Sequence, residues 1–260
     1  MRHAAPRVLV TRPAAEATRW TEALRAHGIA AESLPLIEIV PLPDPAPLRA
    51  VWQGVPGHAA LMFVSANAVQ HFMAMRPAGM PLQAQAWGTG PGTQAALLAA
   101  GWPAAQVRCP AADADKFDSE ALWALVQADV LAWPGRSLLI VRGTDAEGQL
   151  AGRDRLAQQL EAAGVQVQQC AAYARRQPVL DEAMRQRARQ ALHDGSWWLF
   201  SSSEAAAHLA QLMPGAIGPQ ARALATHPRI AERLRAQGWG QVEQVPATLA
   251  GQVASIECLP

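Results

Sequence analysis

The sequence predicts an α/β protein built on doubly wound parallel sheets, and two observations carry that prediction. Six short apolar runs, beginning at Val8, Leu61, Ala86, Leu138, Trp197 and Ala223, are each followed by a turn of small or hydroxyl residues and then a helical pattern. Apolar runs of this kind without alternation suit strands buried on both faces, the condition of parallel sheets. Four of the helical stretches end alike, at His27-Gly28, Ala100-Gly101, Ala163-Gly164 and Gln237-Gly238. A glycine just past a helix accepts the left-handed conformation that caps the last carbonyls, and each of these leads into another extended run. Strand alternating with helix throughout implies helices on both faces of parallel sheets.

In order, Val8-Leu9-Val10 is the first strand and stops at Thr11-Arg12-Pro13. Leu34 to Pro43 is extended, bounded by prolines, and alternates around Glu38. The strands at Leu61–Ser65, Ala86–Thr89 and Leu138–Arg142 follow, and Val165-Gln166-Val167 runs into a second extended stretch, Gln168 to Pro178. Trp197–Ser201, Ala223–Thr226 and Val242–Val245 complete the series. Each proline-bounded stretch comes after one α/β unit has closed and before another series begins. If the two are paired crossing strands, the chain leaves a first lobe near residue 38, builds a second from 43 to 168, and returns near 174. The strand pattern alone leaves a contiguous division near residue 130 open. In either case a two-lobed protein with a small-ligand cleft between its lobes is expected.

The bulk properties narrow the class. With 50% hydrophobic and 17% charged residues the chain has ample apolar surface to fold. A formal net charge of +1 gives no overall field to gather nucleic acid or an acidic membrane. Lys116 is the only lysine among 22 basic side chains, a bias that a GC-rich coding sequence explains. It excludes the Gly-Lys-Ser/Thr of a P-loop and leaves anion contacts to guanidinium forks and backbone amides. Cys109, Cys170 and Cys258 are isolated and odd in number, which fits no disulfide framework or zinc site and suits a reducing compartment. Val8-Leu9-Val10 is too short for a signal-peptide core, and no apolar segment nears the ~20 residues that span a bilayer. The expected location is cytoplasmic.

In doubly wound sheets the ligand sits beyond the carboxyl ends of the strands, so six turns matter: Thr11-Arg12-Pro13, Ser65-Ala66-Asn67, Gly88 to Thr93, Arg142-Gly143-Thr144, Ser201-Ser202-Ser203 and Thr226-His227-Pro228. Serine, threonine and asparagine there serve equally as helix caps or, with the free amides, as contacts for carboxylate or phosphate. Gly88-Thr89-Gly90-Pro91-Gly92-Thr93 departs from a dinucleotide fingerprint: its sixth position is Thr93, and no acidic residue ends a strand about 20 positions on. Ser201-Ser202-Ser203 lacks the glycines of a nucleophile elbow. The seven histidines, His208 and His227 among them, show no metal-ligand spacing and read as surface or capping residues. Asp113, Asp115 and Asp118 read as a solvated loop before a helix starting near Ser119, and Arg175 and Arg176 as linker charges. Tyr173, the only tyrosine, stands on a crossing strand. It is either a half-buried aromatic with its hydroxyl at the surface, or a phenol able to give a proton to a leaving group.

Together these residues resemble the uroporphyrinogen-III synthase (HemD-like) family. The resemblance rests on Val10-Thr11-Arg12-Pro13, Phe63 to Val69, Gly88-Thr89-Gly90 with Thr93, Val141-Arg142-Gly143 followed by Leu156, Leu160 and Gly164, Tyr173, Phe200-Ser201-Ser202, and Arg229-Ile230-Ala231 with Gly238. It runs in order over essentially the whole chain. It implies two doubly wound parallel-sheet lobes joined by a two-stranded antiparallel linker, the first lobe discontinuous. The lobes would be residues 1–37 with 174–260, and 43–168, with 38–42 and 169–173 as linker strands. It implies a cofactor-free lyase with no metal, acting on the linear tetrapyrrole hydroxymethylbilane, which it closes with loss of water and inversion of the last ring through a spiro intermediate. Tyr173 would assist departure of the hydroxyl. Thr93 and Ser202 would present hydroxyls, while Arg12, Ser65, Asn67, Arg142 and Gly143 would meet the acetate and propionate groups. Thr226-His227-Pro228-Arg229 departs from the family's hydroxyl-bearing last turn, leaving Thr226 or Arg229 to supply that contact. A monomer is implied, in at most transient contact with the upstream enzyme that makes hydroxymethylbilane, with no nucleic-acid or membrane partner. The competing class is a non-catalytic two-lobed anion-binding or sensor module; a dinucleotide-dependent enzyme ranks behind both.

Overall fold

The computed structural model describes residues 6–111, 119–133, 135–145, 147–150 and 155–259. Asp113, Asp115, Lys116 and Asp118 lie outside the described residues.

In chain order the elements are β1 (Arg7–Val10), α1 (Ala14–Ala26), β2 (Ala30–Ser33), β3 (Glu38–Pro41), α2 (Ala46–Val51), β4 (His58–Phe63), α3 (Ala66–Met73), β5 (Gln85–Gly88), α4 (Pro91–Ala99), β6 (Val107–Arg108) and α5 (Ser119–Leu131). They continue with β7 (Ser137–Thr144), α6 (Arg155–Ala162), β8 (Gln166–Arg176), α7 (Glu182–Ala191), β9 (Trp197–Phe200), α8 (Ser203–Leu212), β10 (Arg222–Ala225), α9 (Pro228–Ala236), β11 (Gln241–Gln244) and α10 (Leu249–Glu257). The chain divides into two compact units, Met1–Glu38 with Arg176–Pro260, and Ile39–Arg175.

The first unit holds a five-stranded sheet in the order β11-β10-β9-β1-β2, parallel at every pairing. β1 and β9 are far apart in sequence yet neighbours in the sheet, because Val8, Leu9 and Val10 align with Trp197, Trp198 and Leu199. Consecutive residues serve opposite faces. Val8, Val10, Trp197 and Leu199 share one core, while Trp198 and Phe200 stack at a centroid separation of 6.3 Å and meet Trp239 edge-on on the other side. The turn glycines Gly28 and Gly238 take positive φ, 79° and 87°, as helix-ending glycines do.

The second unit holds a six-stranded sheet in the order β3-β8-β7-β4-β5-β6. The pairs β8–β7, β7–β4, β4–β5 and β5–β6 are parallel. β4 sends Leu61 and Phe63 into one core and Ala60 and Met62 into the other, which is why its sequence shows no alternation. The unit boundaries fall inside β3 and β8. The crossing strand expected at 169–173 is part of a longer strand, β8, that pairs with β7 over eight register positions.

One expected turn is not a turn. Arg142, Gly143 and Thr144 continue β7 as strand and pair with Ala171, Tyr173 and Ala174. The register slips between Arg142 and Gly143, so Ala172 is an extra residue in β8. Such a bulge re-aims the side chain that follows it. Cys170, Ala172 and Tyr173 accordingly all join the same core, which strict alternation would forbid.

Candidate active site

The carboxyl ends of the second unit's strands lie side by side, with Phe63 aligned to Val141 on one flank and Gly88 on the other. Ser65 follows β4 and caps α3, its Oγ accepting the Ala68 amide at 3.1 Å. The same Oγ lies 3.1 Å from Tyr173 Oη. Tyr173 is 3% exposed, so its ring is buried, and its hydroxyl is within hydrogen-bond distance of Ser65. A Cβ on Gly143 would stand 2.5 Å from Cε2 of that ring, so only a residue without a side chain lets the phenol lie against β7.

His71, on α3, places its ring 5.6 Å from the Tyr173 ring centroid at an interplanar angle of 32°. Burial lowers its pKa and favours the neutral imidazole. Next along the edge, Thr89 Oγ1 donates to the Val64 carbonyl at 3.3 Å. Thr93, buried in the first turn of α4, packs over Gly88, where an added Cβ would come within 3.0 Å of the threonine methyl. Gly90 caps α4 without a side chain, leaving that helix start as backbone alone. Asn67 is half-buried in the first turn of α3, and Arg142 is buried on β7. Ser65, Asn67, Thr93, Arg142, Gly143 and Tyr173 therefore fall on one sheet edge.

The first unit has its own row. Thr11 Oγ1, fully buried, donates to the Leu199 carbonyl at 2.8 Å and ties the end of β1 to β9. Arg12 sits 4.2 Å above the Trp20 ring centroid and 3.4 Å from a Glu16 carboxylate oxygen. Burial lowers its pKa, with Glu16 opposing the shift. Ser202 caps α8, its Oγ accepting the Glu204 amide at 3.1 Å. Thr226, half-buried, gives its amide to the Phe200 carbonyl at 3.1 Å. His227 caps α9 by accepting the Arg229 amide on Nδ1 at 3.1 Å, and Arg229 is exposed. Arg12, Ser202 and Thr226 thus end β1, β9 and β10, three adjacent strands.

Two histidines depart from the surface placement expected of them. His208 is buried, and its Nδ1 lies 2.6 Å from the Leu36 carbonyl; a carbonyl only accepts, so Nδ1 donates. His58 is buried, and its Nδ1 lies 3.0 Å from Ser137 Oγ. His71 belongs to no motif of the sequence; its place six residues after Ser65 on a short amphipathic helix is the one signal that points to it. Arg176 is more than a loose charge, because it forks onto Glu38 at 2.9 and 3.1 Å. Among the described residues no three His, Cys, Asp or Glu side chains gather as a metal site would need. No helix there is long and apolar enough to cross a membrane. A cleft of about 490 Å³ in the first unit is lined by His193, Gln220, Arg222 and Gln241. It lies where β10 and β11 begin, and none of the predicted site residues lines it.

Two parallel-sheet units, the second inserted in the first and each ending its strands in hydroxyl-bearing turns, define a class of α/β protein that meets its ligand at strand carboxyl ends. The family model described as uroporphyrinogen-III synthase HemD matches residues 18–253. The chain belongs to the uroporphyrinogen-III synthase family. Its fold is similar to that of a mutant uroporphyrinogen III synthase from the extremely thermophilic bacterium Thermus thermophilus, with a TM-score of 0.54 and 18% identity over 96% of each chain. A uroporphyrinogen-III synthetase from Helicobacter pylori aligns at a TM-score of 0.48 and 13% identity, again over 96% of each chain. No curated protein matches the chain in sequence.

Proposed function

We propose that this chain closes hydroxymethylbilane to uroporphyrinogen III as a cofactor-free hydro-lyase, inverting the last ring through a spiro intermediate. The observation that supports this most directly is the Tyr173 hydroxyl on Ser65, on the strand edge of a chain that matches the family along most of its length. The family match does not favour the non-catalytic anion-binding module.

The chemistry asks little acid–base power of the protein. Tyr173 gives its phenol proton to the departing hydroxyl, the carbon–oxygen bond breaks, and the oxygen leaves as water. A phenol ordinarily ionises near pH 10, so it is a proton donor at neutral pH. The last ring then attacks the methylene so exposed through its substituted carbon, giving the spiro species; the bond from that carbon to its original methylene bridge breaks, and the bridge rejoins at the ring's free carbon. The proton lost as that ring regains aromaticity restores the phenol, so atoms and charge balance. Holding the flexible chain for the right attack supplies most of the selectivity. For that, Asn67, Thr93, Arg142 and the Gly143 backbone of the second unit, and Arg12, Ser202 and Thr226 of the first, are the proposed contacts for acetate and propionate groups. A planar guanidinium matches a carboxylate in two-pronged fashion. We place the protein in the cytoplasm as a monomer.

The test is incubation with freshly prepared hydroxymethylbilane, followed by oxidation and separation of the uroporphyrin isomers. The type III isomer is expected to dominate; type I alone, as forms without protein, would falsify the assignment.

A further inference from the structure

We propose that Glu16 sets the strength of the Arg12 site: its carboxylate competes with those of substrate and product for the guanidinium and keeps that grip exchangeable. The inference rests on the acetate or propionate contact given to Arg12 above and specifies how firm that contact is.

Arg12, Glu16 and Trp20 are spaced four apart, which puts Glu16 and Trp20 on one face of α1 with Arg12 just ahead of that helix. The Trp20 ring lies 4.2 Å from the guanidinium carbon. One face of the cation is therefore closed, and an anion must meet it in its own plane, where the donors point. Among the described residues those donors are poorly used. Nη1 reaches a Glu16 oxygen at 3.4 Å, long for a charge-assisted pair, which settles at about 2.7–2.9 Å. Nη2 has no acceptor, and Nε is buried without one. The Arg12 side chain is only 15% exposed, and burial works against its charge while Glu16 works for it. A cation so desolvated and so loosely paired is stabilised by a further anion.

The reaction removes only water, so product and substrate carry the same carboxylates. A grip on those groups binds both alike; it lowers KM without raising kcat, and a strong grip delays product release. A carboxylate of the protein on the same guanidinium weakens the grip on both. Glu16 also suits the first turn of α1, where the helix dipole favours an acid. That role alone predicts lower stability on its removal and no gain in binding.

The test reads KM for hydroxymethylbilane and, by titration calorimetry, the dissociation constant of uroporphyrin III, the oxidised product that keeps every carboxylate. In Glu16→Gln both should fall about fivefold, an effect in the range of coupled neighbouring charges, and kcat should not rise. Glu16→Ala gives the same reading should Glu16→Gln fail to fold, as judged by far-ultraviolet circular dichroism. Arg12→Gln alone should weaken both constants; if it does not, the proposal fails with the contact it rests on. In the Arg12→Gln background, or in Arg12→Met should that variant not fold, Glu16→Gln should lose most of its gain. Glu22→Gln removes an exposed charge from the same helix and, at ordinary ionic strength, should leave both constants near those of the parent. Unchanged or weaker binding in Glu16→Gln overturns the proposal and leaves Glu16 to the helix. An equal gain without Arg12, or from Glu22→Gln, overturns it too, because the effect is then one of net charge. Failure of the parent to make the type III isomer would instead overturn the function, and the uroporphyrin titration would still read the competition at Arg12.

Discussion

Gly143 faces Tyr173 across the β7–β8 ladder, immediately after the one register slip in that pairing, and its bare backbone supports the phenol ring. The ring rests where a methyl group would be, so the position of the hydroxyl depends on the absence of a side chain on the neighbouring strand.

Gly143→Ala should therefore act on geometry. Gly143 is not among the glycines with positive φ, so alanine meets no backbone strain, only the ring. Overpacking of this kind costs about 1–3 kcal/mol. The melting temperature should fall by several degrees and kcat by more than tenfold. Undiminished turnover would show that Tyr173 tolerates displacement.

Tyr173→Phe keeps the packing and removes the proton. Loss of a general acid costs about 10²-fold or more in rate, and kcat is expected to drop on that scale while a non-reacting substrate analogue binds as before. Binding loss without rate loss, read by calorimetry and steady-state kinetics, would assign the hydroxyl to recognition instead.

Thiol chemistry should sort the three cysteines. Burial pushes Cys170 up to about 12 and Cys109 to about 11, whereas Cys258 is exposed. Thiolate is the reactive form, so at pH 8 a chromogenic disulfide reagent should titrate one thiol quickly and all three only after unfolding. Rapid reaction at Cys170, identified by peptide mass, would contradict its placement in the core.

Two histidines set a pH limit. Burial lowers the pKa of both His58 and His71 from 6.5, so the folded chain prefers them neutral. The unfolded chain takes up protons near pH 6.5 while the folded chain resists until lower pH. Stability from these groups is thus present above about 6.5 and lost as pH falls below it. The melting temperature should decline from pH 7.5 to 5.5, and less steeply in His71→Gln or His58→Gln. A rise over that interval would reverse the sign.

Much of this was legible in the sequence, for identifiable reasons. Ser65, Ser202 and His227 follow apolar runs and cap helices, a local pattern that a sequence displays directly. The extension of β7 through Arg142-Gly143-Thr144 was not legible, because it is decided by the ring of Tyr173 packing on Gly143 across another strand. The bulge at Ala172 breaks alternation where a sequence can only assume it. His208 was misplaced at the surface because its carbonyl partner, Leu36, is 172 positions away. For the nine proposed site residues, sequence marked the strand ends, and the structure adds which of them share a sheet edge.

The placement of β1 has a consequence for how the chain is made. Val8-Leu9-Val10 pairs on one side with nearby β2 and on the other with β9, which leaves the ribosome only after all of Ile39–Arg175. The inserted unit has its own sheet and two cores and can close while β1, α1 and β2 wait with an apolar edge uncovered. A bare hydrophobic edge is a template for wrong pairing, and distant partners are slow to meet. During synthesis β1, α1 and β2, although made before the inserted unit, belong to the unit that is finished after it.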